Sequence, residues 1–212
     1  MPILYDKKRK EIVSNDSWSI VKMLASAFST LGNAKLARPP IDLAPRNLAA
    51  EMDAVHQAIY DTLLNGVYKA GISRLKRNDE AAQAASAIVY RTLDELDGKL
   101  SKQRFLLGTP QPTAVDVRLT MTLLRWDASY QFAFGLGGGQ GTGGVLLGDG
   151  YPNLRDYTRD MYALFGADCV DWPSIRQYYR WGVGHPKDAP LPPLEPIIAS
   201  AEAPHGRAEQ FA

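Results

Sequence analysis

The sequence predicts a mainly α protein, a body of four to six helices behind a short strand-strand-helix unit. Apolar residues recur at three- and four-residue spacing in four separate stretches between Leu48 and Leu164. Two short β-prone runs occur within the first fourteen residues. Glycine and proline gather in Gly32–Pro45, Gly135–Gly150 and Gly184–Ala212, which break the helical pattern at those places.

Ile3–Tyr5 and Glu11–Val13 flank the charged run Asp6-Lys7-Lys8-Arg9-Lys10, which suits a solvated hairpin turn. Asp16 and Ser17 then precede Ile20, Met23, Leu24, Ala27 and Phe28, whose spacing puts the apolar side chains on one helical face. Pro39, Pro40 and Pro45 read as a linker that ends with proline at a helix start. Leu48, Met52, Val55, Ile59, Leu63 and Val67 predict one long helix ending near Gly71. Asp79 can cap the next, with Ala81, Ala84, Ala85, Ile88, Val89, Leu96 and Leu100 as its buried stripe. Thr113-Ala114-Val115-Asp116 has the form of a capping box opening a helix through Leu124 and Trp126. Tyr151-Pro152-Asn153-Leu154 opens another, with Leu154, Tyr157, Met161 and Leu164 facing inward, and a last short helix spans Ser174 to Tyr179. Gly184–Ala212, with six of the 14 prolines, reads as an extended tail.

Composition narrows the function classes. Hydrophobic residues at 45% and charged residues at 22% are those of a folded globular chain. A net charge of +1, from 24 basic and 23 acidic residues, provides no field for phosphate backbones or anionic lipid, so no nucleic acid and no membrane partner is expected. The single Cys169 cannot form an internal disulfide, and the N-terminus lacks the order of a secretory signal, which together point to the cytoplasm. His56, His185 and His205 have no neighbours at metal-ligand spacing, and no metal is expected. Gly139-Gln140-Gly141-Thr142-Gly143-Gly144 fits G-x-G-x-x-G without a surrounding βαβ unit and reads as a loop.

Two groups of residues carry a resemblance. Pro2-Ile3-Leu4-Tyr5-Asp6, then Ile12-Val13-Ser14-Asn15-Asp16-Ser17, resembles the second half of a thioredoxin-like glutathione transferase domain. Asn65-Gly66-Val67-Tyr68-Lys69-Ala70-Gly71, Arg125-Trp126-Asp127 with Tyr130, and Tyr151-Pro152-Asn153-Leu154 resemble the glutathionyl-hydroquinone reductases, the Xi class of glutathione transferases. The resemblance, which covers residues 1 to about 181, implies a β-β-α remnant of a thioredoxin-like domain over 1–32 and a glutathione transferase C-terminal-type helical bundle over 33–183, with the Pro-rich extended tail over 184–212 beyond it.

It also implies a site and a chemistry. Glutathione would be held by the backbone of Met1, ahead of a cis proline at Pro2, and by Asp16 and Ser17 at a helix N-terminus, where N–H groups and the hydroxyl suit the γ-glutamyl carboxylate and Asp16 the ammonium. Asp16 and Ser17 equally fit plain helix capping. Tyr68 and Tyr130, helped by Arg125, would line the pocket for a quinol-type adduct, through phenol hydrogen bonds and ring stacking. Arg176-Gln177-Tyr178-Tyr179 resembles the family's tyrosine pair, with glutamine where histidine is common. Family chemistry is thiol exchange by a cysteine in Cys-Pro-Trp-Ala, a tetrapeptide absent from these 212 residues. Cys169 is no substitute, because Asp168 and Asp171 beside it oppose thiolate formation. The expectation is a glutathione transferase or glutathione-dependent oxidoreductase at family level, homodimeric, with no catalytic residue assigned. The alternative is a non-catalytic binding or scaffold protein with the same body.

Overall fold

The computed structural model describes residues 2–27, 41–136, 144–182 and 191–212. Met1 with its bond to Pro2, Phe28, the prolines at 39 and 40, most of the glycine run at 139–144, and His185 lie outside them.

The chain opens with the hairpin expected of it. Strands β1 (Leu4–Asp6) and β2 (Glu11–Ser14) pair antiparallel, with Tyr5 opposite Ile12 and Asp6 opposite Glu11. Asp6 holds the turn: its Oδ1 accepts the Lys8 and Arg9 N–H groups at 2.8 and 2.9 Å, an Asx-type closure of a charged loop. Helix α1 (Ser17–Ala27) follows and sets Trp18 and Ile20 inward.

Helices α2 (Ala49–Ile59) and α3 (Gly66–Leu75) are joined by a π-helical turn, Tyr60–Leu64. The expected single helix from Leu48 is thus continuous in path but underwound at its middle, and it runs past Gly71 to Leu75. Gly71 does not end the helix because its role is proximity: a Cβ there would meet the Phe134 ring at 2.2 Å.

Helix α4 (Asp79–Leu100) is capped by Asn78, whose side chain accepts the Ala81 N–H at 3.1 Å, while Asp79 sits in the first turn. Its buried face is Ala82, Ser86, Val89, Leu93, Leu96 and Leu100. The expected stripe was right from Val89 onward and rotated before it, leaving Ile88 exposed. Runs of alanine carry too little hydrophobic contrast to fix the phase, and packing on α3 decides it: Arg74 of α3 donates to Ser86 Oγ at 3.0 Å.

Helix α5 (Ala114–Arg125) starts with the predicted capping box. Asp116 does more than cap. Buried at the core, its carboxylate also accepts the Leu106 N–H at 2.8 Å and the Tyr157 hydroxyl at 3.0 Å, tying three segments together. A second π-helical turn, Trp126–Tyr130, leads into the short α6 (Gln131–Ala133). Asp127 in this turn receives the Val145, Leu146 and Leu147 N–H groups at 3.1, 2.9 and 3.2 Å, so part of the glycine-rich stretch is pinned to the body.

Helix α7 (Pro152–Phe165) begins with Pro152 and buries Leu154, Tyr157 and Met161 as expected. Helix α8 (Trp172–Gly182) starts earlier and ends later than the Ser174–Tyr179 reading. The tail corrects an expectation. Residues 191–212 contain α9 (Glu195–Ala201) and α10 (Arg207–Gln210), and Pro196 occupies a first-turn position where proline does not break the helix. Leu194, Ile197 and Ala201 bury against Leu124, Ala128, Leu146, Tyr162 and Trp172. Arg207 is 2% exposed and donates to the carbonyls of Leu100, Gln103 and Arg104 at 3.0, 2.8 and 2.9 Å, closing the end of α4. Among the described residues no helix is long and apolar enough to cross a membrane.

Candidate functional site

The helix order leaves a cleft of about 420 Å³ between α1, the α2–α3 turn, α5 and α8. Its wall on the α5 side is Val117, Arg118, Met121, Thr122 and Arg125, one face of that helix at three- and four-residue spacing. Val21 of α1 closes one side, and Tyr60, Leu64, Asn65 and Tyr68 the other. Both π-helical turns border it. Tyr60 and Leu64 lie in the first and Tyr130 in the second, which fits the frequent placement of such turns at functional sites.

Three phenols meet at the floor. The hydroxyls of Tyr68 and Tyr179 are 2.8 Å apart, those of Tyr130 and Tyr179 3.1 Å, and those of Tyr68 and Tyr130 3.2 Å. Tyr130 and Tyr179 are buried and Tyr68 half-buried, so Tyr68 is the member most open to the cleft. Phe134 packs beneath, with ring centroids 5.1 Å from Tyr68 and 5.2 Å from Tyr130. Burial raises the Tyr130 phenol well above its usual range, and the neighbouring phenols add to it. Tyr179 is raised for the same first reason. Tyr130 and Tyr179 therefore stay protonated at neutral pH and act as hydroxyls, not phenolates.

Arg125 stands beside the phenols, its Nη1 donating to the Met121 carbonyl one turn back. Two turns earlier on the same face is Arg118, whose Nη2 lies 3.5 Å from Ser17 Oγ. Arg118 Nε is buried without a hydrogen-bond partner among the described residues.

The expected glutathione residues sit at the α1 end. Asp16 accepts the Ser19 N–H on Oδ2 at 2.6 Å, the geometry of an N-cap, and that bond holds its carboxyl below the usual range. Ser17 is half-buried and faces Arg118. Met1 lies outside the described residues. Behind Ser17, Trp18 stacks on His56 at 4.2 Å and donates to Asp53 Oδ1 at 2.6 Å. Cys169 is exposed, donates to the Phe165 carbonyl at 3.2 Å and does not line the cleft.

The structure thus brings together Tyr68, Arg125 and Tyr130, with Ser17 reaching the same cleft through Arg118. Sequence reasoning did not assign Tyr179 or Arg118 to the site. Tyr179 carried a signal in the Tyr178-Tyr179 pair, but α8 alone cannot say which of the two faces inward. Arg118 could have been found as a basic residue seven positions before Arg125, on the face of α5 that the buried residues leave over.

Comparison with known proteins bears on the family and the fold. Residues 79–160 match the glutathione S-transferase C-terminal domain. The chain is 38% identical over 180 residues to the glutathionyl-hydroquinone reductase YqjG of Escherichia coli K12, covering 84% of this chain and 50% of that protein. The glutathione-bound structure of that homologue superposes with a TM-score of 0.77 at 32% identity, over 100% of this chain and 63% of that one. The Xi glutathione transferase of Phanerochaete chrysosporium gives 0.76 at 32% identity, over 93% of this chain and 60% of that one. The chain spans about half the length of the E. coli relative it matches.

Proposed function

We propose that this chain, which belongs with the Xi-class glutathione transferases, binds the quinol end of a glutathionyl-quinol adduct in the cleft above Tyr68, Tyr130 and Tyr179. The single observation that carries the reading is the triangle of hydrogen-bonded phenols at the floor of an open cleft. Tyr68 can donate to a quinol oxygen while Tyr130 and Tyr179 hold its hydroxyl in place, and the edge-on rings form an apolar seat for an aromatic ring.

The tripeptide of the adduct would run toward Ser17, where the free N–H groups at the start of α1 suit a carboxylate. The reaction we infer is the family's thiol exchange. A cysteine thiolate attacks the glutathionyl sulfur, a sulfur–sulfur bond forms, the carbon–sulfur bond breaks, and the ring carbon takes a proton. A second glutathione then releases the enzyme thiol and leaves as the disulfide. Within these 212 residues the only thiol is Cys169, which lies off the cleft, so this chain contributes the quinol seat and part of the glutathione site rather than the nucleophile. Its homodimeric state belongs to the same proposal.

The test is calorimetric titration of the 212-residue chain with S-(2,5-dihydroxyphenyl)glutathione. Binding should weaken about five- to tenfold in Tyr68→Phe, the worth of one hydrogen bond to the ligand. Turnover that survives Cys169→Ser would identify another nucleophile and sink the division of roles. Binding of glutathione with indifference to the aromatic group would instead favour the scaffold reading.

A further inference from the structure

The two arginines of the cleft have no carboxylate to answer them. Arg118 and Arg125 both line it, and neither forms an ion pair among the described residues. The remaining lining side chains, Val21, Tyr60, Leu64, Asn65, Tyr68 and those of α5 and the phenols, include no acid. The acid acting on Arg118 is Asp16, which is exposed, lies outside the lining and already caps α1 through Oδ2. Arg125 acts on Arg118 as a like charge, and burial weighs against the Arg118 cation as well. Two guanidinium groups kept in one partly buried cleft, one with an Nε donor unsatisfied, are costly unless a ligand supplies negative charge. Elsewhere such arginines are answered: Arg104 makes a two-pronged contact with Asp160 at 2.8 Å, Arg159 reaches Asp156 at 3.0 Å, and Arg207, which pairs with no acid among the described residues and has a buried Nε of its own, is met instead by three backbone carbonyls.

Arg125 also stands with Tyr68 and Tyr179 in a second, adjoining cleft lined by Ser174, Ile175 and Tyr178. A ring seated on the phenols would therefore carry its substituents toward a guanidinium on the α5 wall. Arginine suits this role because its planar donors match a carboxylate pairwise.

We propose that Arg118 and Arg125 form an anion clamp that selects aromatic substrates bearing their own acidic group, a carboxylated quinol in preference to a neutral one. This rests on the reading that the cleft is the quinol seat. The selection adds to that reading, because a neutral ring on the phenol floor would leave Arg125 unanswered and Arg118 with only the γ-glutamyl carboxylate placed at Ser17.

The two ideas separate in one experiment. The full 212-residue chain is titrated by calorimetry with hydroquinone and with 2,5-dihydroxybenzoate, the same quinol carrying a carboxylate. The carboxylated probe should bind about tenfold tighter, as one charge-assisted pair predicts. That preference should fall to about twofold or less in Arg118→Gln with Arg125→Gln. Raising salt from about 50 to about 500 mM should weaken the carboxylated probe and leave hydroquinone unmoved. Equal affinity of the wild-type chain for the two probes overturns the clamp while the quinol seat stands. Failure of both to bind overturns the clamp and the seat together. A preference that persists in the double variant places the anion elsewhere. The wild-type comparison decides the matter even where the double variant does not fold.

Discussion

Replacing Gly71 with alanine pits two effects of opposite sign against each other. In the interior of α3, alanine in place of glycine should add about 1 kcal/mol from backbone entropy alone. The added carbon, however, would lie 2.2 Å from Phe134 Cδ1, where ordinary contact begins at 3.4 Å, so the ring must back away by about 1.2 Å. Phe134 has little room to yield: it is 1% exposed, its carbonyl accepts from Arg74 Nη1 at 2.7 Å, and Tyr68 and Tyr130 stand against its faces. Overpacking costs about 1–3 kcal/mol, and a ring this confined falls in the upper part of that range, about 2–3 kcal/mol. The net expectation is a loss of about 1–2 kcal/mol, read as a fall of about 3–6 °C in Tm for a chain of this size. Because the displaced ring supports the phenols, affinity for the quinol adduct should fall with it, by about threefold or more. Thermal unfolding by circular dichroism, with calorimetry on the same sample, gives both numbers. A variant as stable as the parent, or more so, refutes the claim that Phe134 is wedged on Gly71.

Two further outcomes follow from other contacts of the fold. His56 is 6% exposed and pressed on Trp18, and burial, reinforced by Arg118, pushes its pKa down to about 4. The unfolded chain then takes the proton first, so stability is complete above about pH 6.5 and about 2–3 kcal/mol of it is lost as pH falls toward 4. His56→Phe should remove that portion of the slope in urea unfolding run across this range, and an unchanged slope would assign it to other groups. Arg207→Met strands the Leu100, Gln103 and Arg104 carbonyls, and should cost about 2–4 kcal/mol by the same denaturant measurement. A cost under about 0.5 kcal/mol would mean that the C-terminal segment is not part of the folded unit.

Much of the helical body was legible because its signals are local. The capping box at Thr113, the proline at the start of α7 and the spacing of Met52, Ile59, Leu63 and Val67 each depend on residues within a few positions of one another. What was not legible depends on distant partners. The phase of α4 is set by Arg74 and its neighbours across the α3 contact, and the role of Gly71 by a ring sixty-three positions away. The tail read as extended from its prolines, yet Pro196 falls where a helix tolerates it, and the apolar faces of Ile197 and Ala201 find a core prepared by α5 and α8. At the site, Tyr68, Arg125 and Tyr130 could be named from short motifs. Tyr179 and Arg118 join them only through the crossing of α8 and α5, a tertiary fact that no local pattern records.

The most direct measurement is a structure of the chain with S-(2,5-dihydroxyphenyl)glutathione bound. The dihydroxyphenyl ring should rest on the Tyr68, Tyr130 and Tyr179 cluster, one of its oxygens within hydrogen-bonding reach of the Tyr68 hydroxyl, with the γ-glutamyl end directed to Ser17. Density for the adduct beside Cys169, or an empty phenol cleft at saturating ligand, would contradict the account.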